Sequence, residues 1–273
     1  MSLVLVHKHL NLLLGVQEAL LVMPDILVTL KKTAARCLLA AVICVWTASC
    51  ASGPAKDGPI PGASYFDRAI FSESKGRHLA AIEQYTRYLE MNQNSPEYAA
   101  PALNNRGTLY WVLGRYDEAL QDFDKAVDMQ PDSALNYINR GNVYADMGDV
   151  ERAIEDYNQA ITLDPNNGLA YSNRGLAWSS LKRFDQAIPD LDKAIAFGHE
   201  GVYKSLMKRG VIRYGTKDYN GAVEDFSRVI KMHPGFTEAY YFRGLAYQQL
   251  NEAEKAQTDL QTAMDLQKAL EKQ

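Results

Sequence analysis

The triplet Asn-Arg-Gly stands at 105–107, 139–141 and 173–175, a period of 34 residues. A fixed period of that length marks one supersecondary unit copied along the chain. Such a unit cannot bury its apolar face alone and must stack on its neighbours. Anchored on the glycine, the copies align. A small residue follows twelve positions later, at Ala119, Ala153, Ala187, Ala222 and Ala256. An aromatic residue or leucine comes next, at Phe123, Tyr157, Leu191, Phe226 and Leu260, and then Ala126, Ala160, Ala194, Val229 and Ala263. The Arg-Gly pair returns at 209–210 and 243–244, and a degenerate upstream copy has Arg68, Ala69, Gly76, Ala81, Tyr85 and Tyr88. Six units result, near 62–99, 100–133, 134–167, 168–202, 203–236 and 237–273.

Each unit reads as two helices. Apolar residues recur at helical spacing on either side of a turn marked by Gly114 or Gly148, and Pro131, Pro165 and Pro234 close three units. The run Tyr137, Gly141, Tyr144, Ala153, Tyr157, Ala160 and Pro165 resembles the tetratricopeptide repeat. That resemblance implies an all-α fold, a right-handed α-solenoid of about six helix-turn-helix repeats over 62–273. The chain departs from the pattern in three places. The first unit has Ala69 for glycine and a linker four residues longer; the fourth has "FGHEGV" in place of a closing proline; the sixth runs on without a proline. The last helix is therefore expected to extend as a polar cap. Pro189, Arg213 and the extra residue near Gly198 together predict a kink or altered stacking between units four and five.

The arginine and the asparagine of the triplet need separate accounts. At 100° per residue the arginine lies at the edge of the packed face, and a cation there needs a partner. An aspartate recurs 16 residues on, so the expected pairs are Arg106–Asp122, Arg140–Asp156, Arg174–Asp190, Arg209–Asp225 and Arg243–Asp259. Gln84 replaces the acid for Arg68. The competing reading, an anion-binding ladder, is disfavoured because the acid recurs in step. The asparagine lies about 160° from the packed face. The resemblance puts that side of the first helix on the concave groove. Asn105, Asn139 and Asn173, with Asn142 nearby, are expected to line it, reading a peptide backbone through one acceptor and two donors each. Lys208 and Phe242 replace the asparagine in later units, and Trp111, Tyr214 and Tyr241 are expected to supply side pockets. As surface sites, the three asparagines are expected to be replaceable by alanine at little cost in stability.

The N-terminal segment has another logic. "TLKKTAARCLLAAVICVWTASC" is basic, then apolar, then small, and its apolar run is too short to span a bilayer. The expected layout is an extension over 1–27 upstream of the true start (Val28 or Met23), a signal over 28–49, a tether over 50–61 and the repeats from 62. Thr47-Ala48-Ser49-Cys50 resembles a bacterial lipoprotein signal, which implies lipid on Cys50; ordinary cleavage after Ala51 is the alternative. The three cysteines, Cys37, Cys44 and Cys50, leave no thiol beyond the anchor, as suits an oxidising compartment.

Catalytic signatures are missing. His78, His199 and His233 fall in different units, and there is no phosphate loop, nucleophile elbow or HExxH. No enzyme activity, cofactor or metal is expected. A net charge of −4 argues against nucleic acid. The expectation is a periplasmic, lipid-anchored scaffold, on the outer membrane ahead of the inner, binding an extended peptide or partner protein. Two alternatives stand beside it: a pilotin-type assembly factor for a secretin or pilus, and a cell-wall enzyme or its regulatory subunit.

Overall fold

The computed structural model describes residues 60–270. The extension, the signal, Cys50 and most of the tether lie outside the described residues. Twelve helices follow in antiparallel pairs: α1 Ala63–Ser74, α2 His78–Asn92, α3 Pro96–Val112, α4 Tyr116–Met129, α5 Ala134–Met147, α6 Val150–Leu163, α7 Gly168–Ser180, α8 Phe184–Phe197, α9 Val202–Gly215, α10 Tyr219–Met232, α11 Thr237–Gln249 and α12 Ala253–Leu270. There are no strands among the described residues, so the chain is an all-α helical-repeat solenoid. None of these helices is long and apolar enough to cross a membrane.

Two compact units divide the chain, Met1–Asn92 and Gln93–Gln273, and the boundary falls in the lengthened linker. In the first, α1 and α2 close on Phe66, whose ring meets Tyr85 edge-on at 5.4 Å and Tyr88 at 5.1 Å. Asn92 ties the hairpin by donating Nδ2 to the Pro61 carbonyl at 2.8 Å.

The second unit holds five hairpins built by one rule. The glycine of the first helix receives the ring or leucine of the second. A Cβ at position 141 would lie 2.8 Å from Tyr157, and one at 210 would lie 2.7 Å from Phe226. The next hairpin then inserts an apolar residue, two positions after its own glycine, into the same place. Val143 packs on Ala119 and Phe123, Ala177 on Ala153 and Tyr157, Ile212 on Ala187 and Leu191, and Ala246 on Ala222 and Phe226.

The turns follow a rule too. Gly114 and Gly148 take positive φ, 74° and 87°, and the following amide reaches back five residues, Arg115 to Tyr110 and Asp149 to Tyr144, at 2.9 Å. This left-handed cap suits glycine. The later hairpins keep the conformation without it: Lys182, Lys217 and Asn251 sit at φ 58°, 69° and 60°.

At the fourth joint, α8 runs through Pro189 without a break. The irregularity lies just beyond, where Gly198 and Gly201 both have positive φ. Gly168, at the start of α7, faces the Gly198 carbonyl so closely that a Cβ would lie 2.5 Å from its oxygen. His199 links into this joint. Its Nδ1 donates to the Glu200 carbonyl at 2.7 Å and its Nε2 accepts from Ser205, which pairs with Ser172 at 2.8 Å. The last helix, α12, runs for 18 residues, the longest among the described residues.

Candidate functional site

Every Asn-Arg-Gly arginine of the second unit, and its two later counterparts, makes a two-pronged contact with the aspartate 16 residues on. Arg106 donates Nε and Nη2 to the Asp122 oxygens at 2.8 and 2.7 Å, Arg140 to Asp156 at 2.9 and 2.7 Å, and Arg174 to Asp190 at 2.7 and 2.8 Å. Arg209 holds Asp225, and Arg243 holds Asp259, in the same way. The fork keeps Arg174 charged more firmly than a free guanidinium, the Asp190 bonds being the main cause.

A third N–H reaches the other way. Nη1 of Arg140, Arg174 and Arg243 donates to Asp124, Asn158 and Ser227, each 16 residues before its arginine, at 2.9, 2.6 and 3.0 Å. Arg209 meets Asp192 across 17 residues, the extra residue of the joint taking up the difference. Each acceptor lies two positions after the preceding hairpin's aspartate. Each of these four arginines therefore stitches its own hairpin shut and fastens it to the one before. With those donors engaged, the arginines are not an anion ladder.

Arg213 thickens one node. It stands where the other hairpins have Tyr110, Tyr144, Trp178 and Tyr247. Its Nη1 donates to Asp225 at 3.1 Å, so that fully buried carboxylate faces two guanidinium groups. A buried anion needs such company.

The asparagines differ from expectation. Asn139 donates Nδ2 to Asn104 of the preceding hairpin at 2.8 Å. Asn173 donates to Asn142 at 2.8 Å, and Asn142 also accepts from the Tyr157 hydroxyl at 2.9 Å. These side chains are half-buried ties between successive inner helices rather than exposed readers. Asn105 is half-buried as well. The helical angle measured their distance from the packed face of their own hairpin, but the neighbouring inner helix also lies against them. Trp111 is similarly occupied, its indole N–H donating to Asp146 at 2.9 Å while its ring packs against the cluster of Ala119, Phe123 and Val143.

The remaining expected groove residues lie on α9 and α11. Lys208 is half-buried there, and burial holds its pKa below the ordinary lysine value. No hydrogen bond or ion pair reaches its ammonium among the described residues. Tyr214 meets Tyr219 edge-on at 5.6 Å, and its hydroxyl is pushed up by burial, with Tyr241 also near. Tyr241 is exposed and contacts Phe242 at 5.5 Å; Phe242 stacks on Phe226 at 5.8 Å. Among the described residues no group of histidine, cysteine and acidic side chains is placed to hold a metal ion.

Family models match in four places: the TPR repeat over 141–182, and the tetratricopeptide repeat over 100–133, 204–235 and 237–270. No curated protein matches. Solved structures do, at low identity. The MamA protein is 24% identical with a TM-score of 0.56, covering 64% of this chain and 94% of its own. A tetratricopeptide repeat protein from Parabacteroides merdae is 21% identical with a TM-score of 0.61, covering 75% and 79%. YrrB, a TPR protein with an unusual peptide-binding site, is 24% identical with a TM-score of 0.55, covering 67% and 92%. With the same unit matched along about half its length and the hairpins built by one rule, this chain belongs to the tetratricopeptide repeat family.

Proposed function

We propose that this chain is a non-catalytic scaffold that holds an extended segment of a partner protein against α9 and α11. Lys208 meets a carboxylate of that segment, and Tyr214, Tyr241 and Phe242 meet the apolar side chain beside it. The observation that carries the reading is Lys208, a half-buried ammonium with a lowered pKa and no partner among the described residues. An ammonium withdrawn from water without a counter-charge is unfavourable, and an incoming carboxylate supplies a charge-assisted bond. The peptide-binding site described for YrrB supports this use of the fold.

The same proposal places the scaffold in a bacterial envelope. A signal over 28–49 exports it, lipid on Cys50 anchors it to a membrane, the outer one first, and the tether leaves the repeats in the periplasm. Several acyl chains together give stable anchoring where one does not.

Two experiments test these halves. A photo-crosslinking residue in place of Tyr241 is expected to capture a discrete partner in cells, while the same residue at exposed Lys231 on α10 captures none; equal capture at both positions overturns the groove. Intact-mass spectrometry is expected to find an acylated N-terminal Cys50. A chain starting at Ser52, or an unmodified Cys50, overturns the anchor.

A further inference from the structure

The joint rule has two open ends among the described residues. Its receiving end is on α12. At each of the four joints within the second unit, an alanine and a ring or leucine of one hairpin receive the residue two positions after the next hairpin's glycine. In the last described hairpin the receiving pair is Ala256 and Leu260. A cleft of about 370 Å³ stands there, walled by Gln248, Gln257, Gln261 and half-exposed Met264.

The inserting end is on α1. Counted from Ala69, which holds the glycine position, the inserting residue is Phe71. Its counterparts Leu109, Val143, Ala177, Ile212 and Ala246 are all buried, whereas Phe71 is 60% exposed. Only the Lys75 ammonium lies over its ring among the described residues, 5.6 Å from the centroid. Size also matches. Leu260 is smaller than the Phe123, Tyr157 and Phe226 that floor three of the other joints, and Phe71 is larger than the residues those joints receive.

The polar stitch has the same two ends. The third N–H of each later arginine goes to the residue two positions after the preceding aspartate. After Asp259 that residue is Gln261, which donates Nε2 to Asp265 at 3.0 Å and leaves its Oε1 as an acceptor. The matching arginine of the first hairpin, Arg68, is exposed and has no ion pair among the described residues.

We infer that the cleft on α12 receives α1 of a second copy of this chain, with Phe71 between Ala256 and Leu260 and Arg68 donating to Gln261. Knob and socket lie on different surfaces, so the contact is head-to-tail. Such a contact is heterologous, so each copy keeps a free knob and a free socket for the next and copies add in sequence.

Sedimentation velocity of the full chain carrying Cys50→Ser, which removes acylation as a cause of association, tests this. The protein is expected to form dimers and larger species in growing proportion as concentration rises. Phe71→Asp and Met264→Lys each alter an exposed side chain and are expected to leave the protein monomeric with unchanged helical content. Mixed together, the two variants keep one intact knob and one intact socket between them. They are expected to form a dimer and nothing larger. A parent protein that stays monomeric at every concentration overturns the inference; α12 is then a solvated cap, or the cleft is filled by the chain's own residues before 60. Assembly that survives Phe71→Asp, or a mixture that yields no dimer, overturns it equally.

Discussion

Asp225 shows how much of the repeat rests on single side chains. It is fully buried and accepts from Arg209 and Arg213 together. Replacing it with alanine leaves two guanidinium groups at a buried site, and urea denaturation is expected to show a loss of about 3–5 kcal/mol. The acid 16 residues after each arginine is legible in the sequence, because it recurs in step. The acceptor 16 residues before is not. Asp124, Asn158 and Ser227 share no side-chain type, only a place in the stack. The asparagine ties are hidden for a related reason: a helical wheel shows one hairpin's core but not the neighbouring first helix. With Asn142 accepting from both Asn173 and Tyr157, Asn173→Ala is expected to cost about 1 kcal/mol in the same measurement, not the negligible amount of a surface site. Glu73 adds a pH dependence. Burial raises its pKa from 4.5 to about 7, against the lowering effect of a Tyr85 hydrogen bond. The folded chain then binds a proton the unfolded chain has released, so this contribution is full below about pH 4.5 and is lost as pH rises through about 7. Glu73→Gln is expected to flatten the denaturation midpoint across that window; an unchanged slope counts against a buried acid.

The helices and their pairing were readable from the glycine, alanine and ring positions, because packing leaves them few alternatives. A Cβ at position 210 would lie 2.7 Å from a Phe226 ring atom. Gly210→Ala is accordingly expected to destabilise by about 1–3 kcal/mol through overpacking, read by thermal unfolding. The turns were only half readable. Gly114 and Gly148 announce a left-handed cap, but Lys182 and Lys217 adopt the same conformation with nothing in their chemistry to signal it. There the stacked hairpins impose the conformation on the residue. Lys217→Gly relieves a left-handed strain and is expected to stabilise by about 1 kcal/mol; a lower midpoint contradicts that account of the turn. The fourth joint is a similar case. Of the features that predict a departure there, Pro189 leaves α8 continuous, and the positive-φ residues Gly198 and Gly201 fall beside the extra residue.

At the scale of the molecule, one helical register holds both ties between hairpins and the residues proposed here to meet a partner. Asn139 and Asn173 occupy the same register as Lys208 and Phe242, yet the first two tie inner helices to one another. The sequence showed the repeat, but a pattern shared by all units cannot by itself distinguish a stitch from a binding surface; the hydrogen-bond partners do. Lys208 tests this division most directly. Its ammonium is held half-buried with its pKa lowered by burial alone, so it costs the free protein stability. The decisive measurement is affinity of Lys208→Met for the partner captured through position 241, with thermal unfolding of the same sample as control. The account predicts about tenfold weaker binding or worse, the worth of a charge-assisted bond, from a protein at least as stable as the parent. Binding at parental strength, or lost binding only alongside a lower unfolding midpoint, would contradict it.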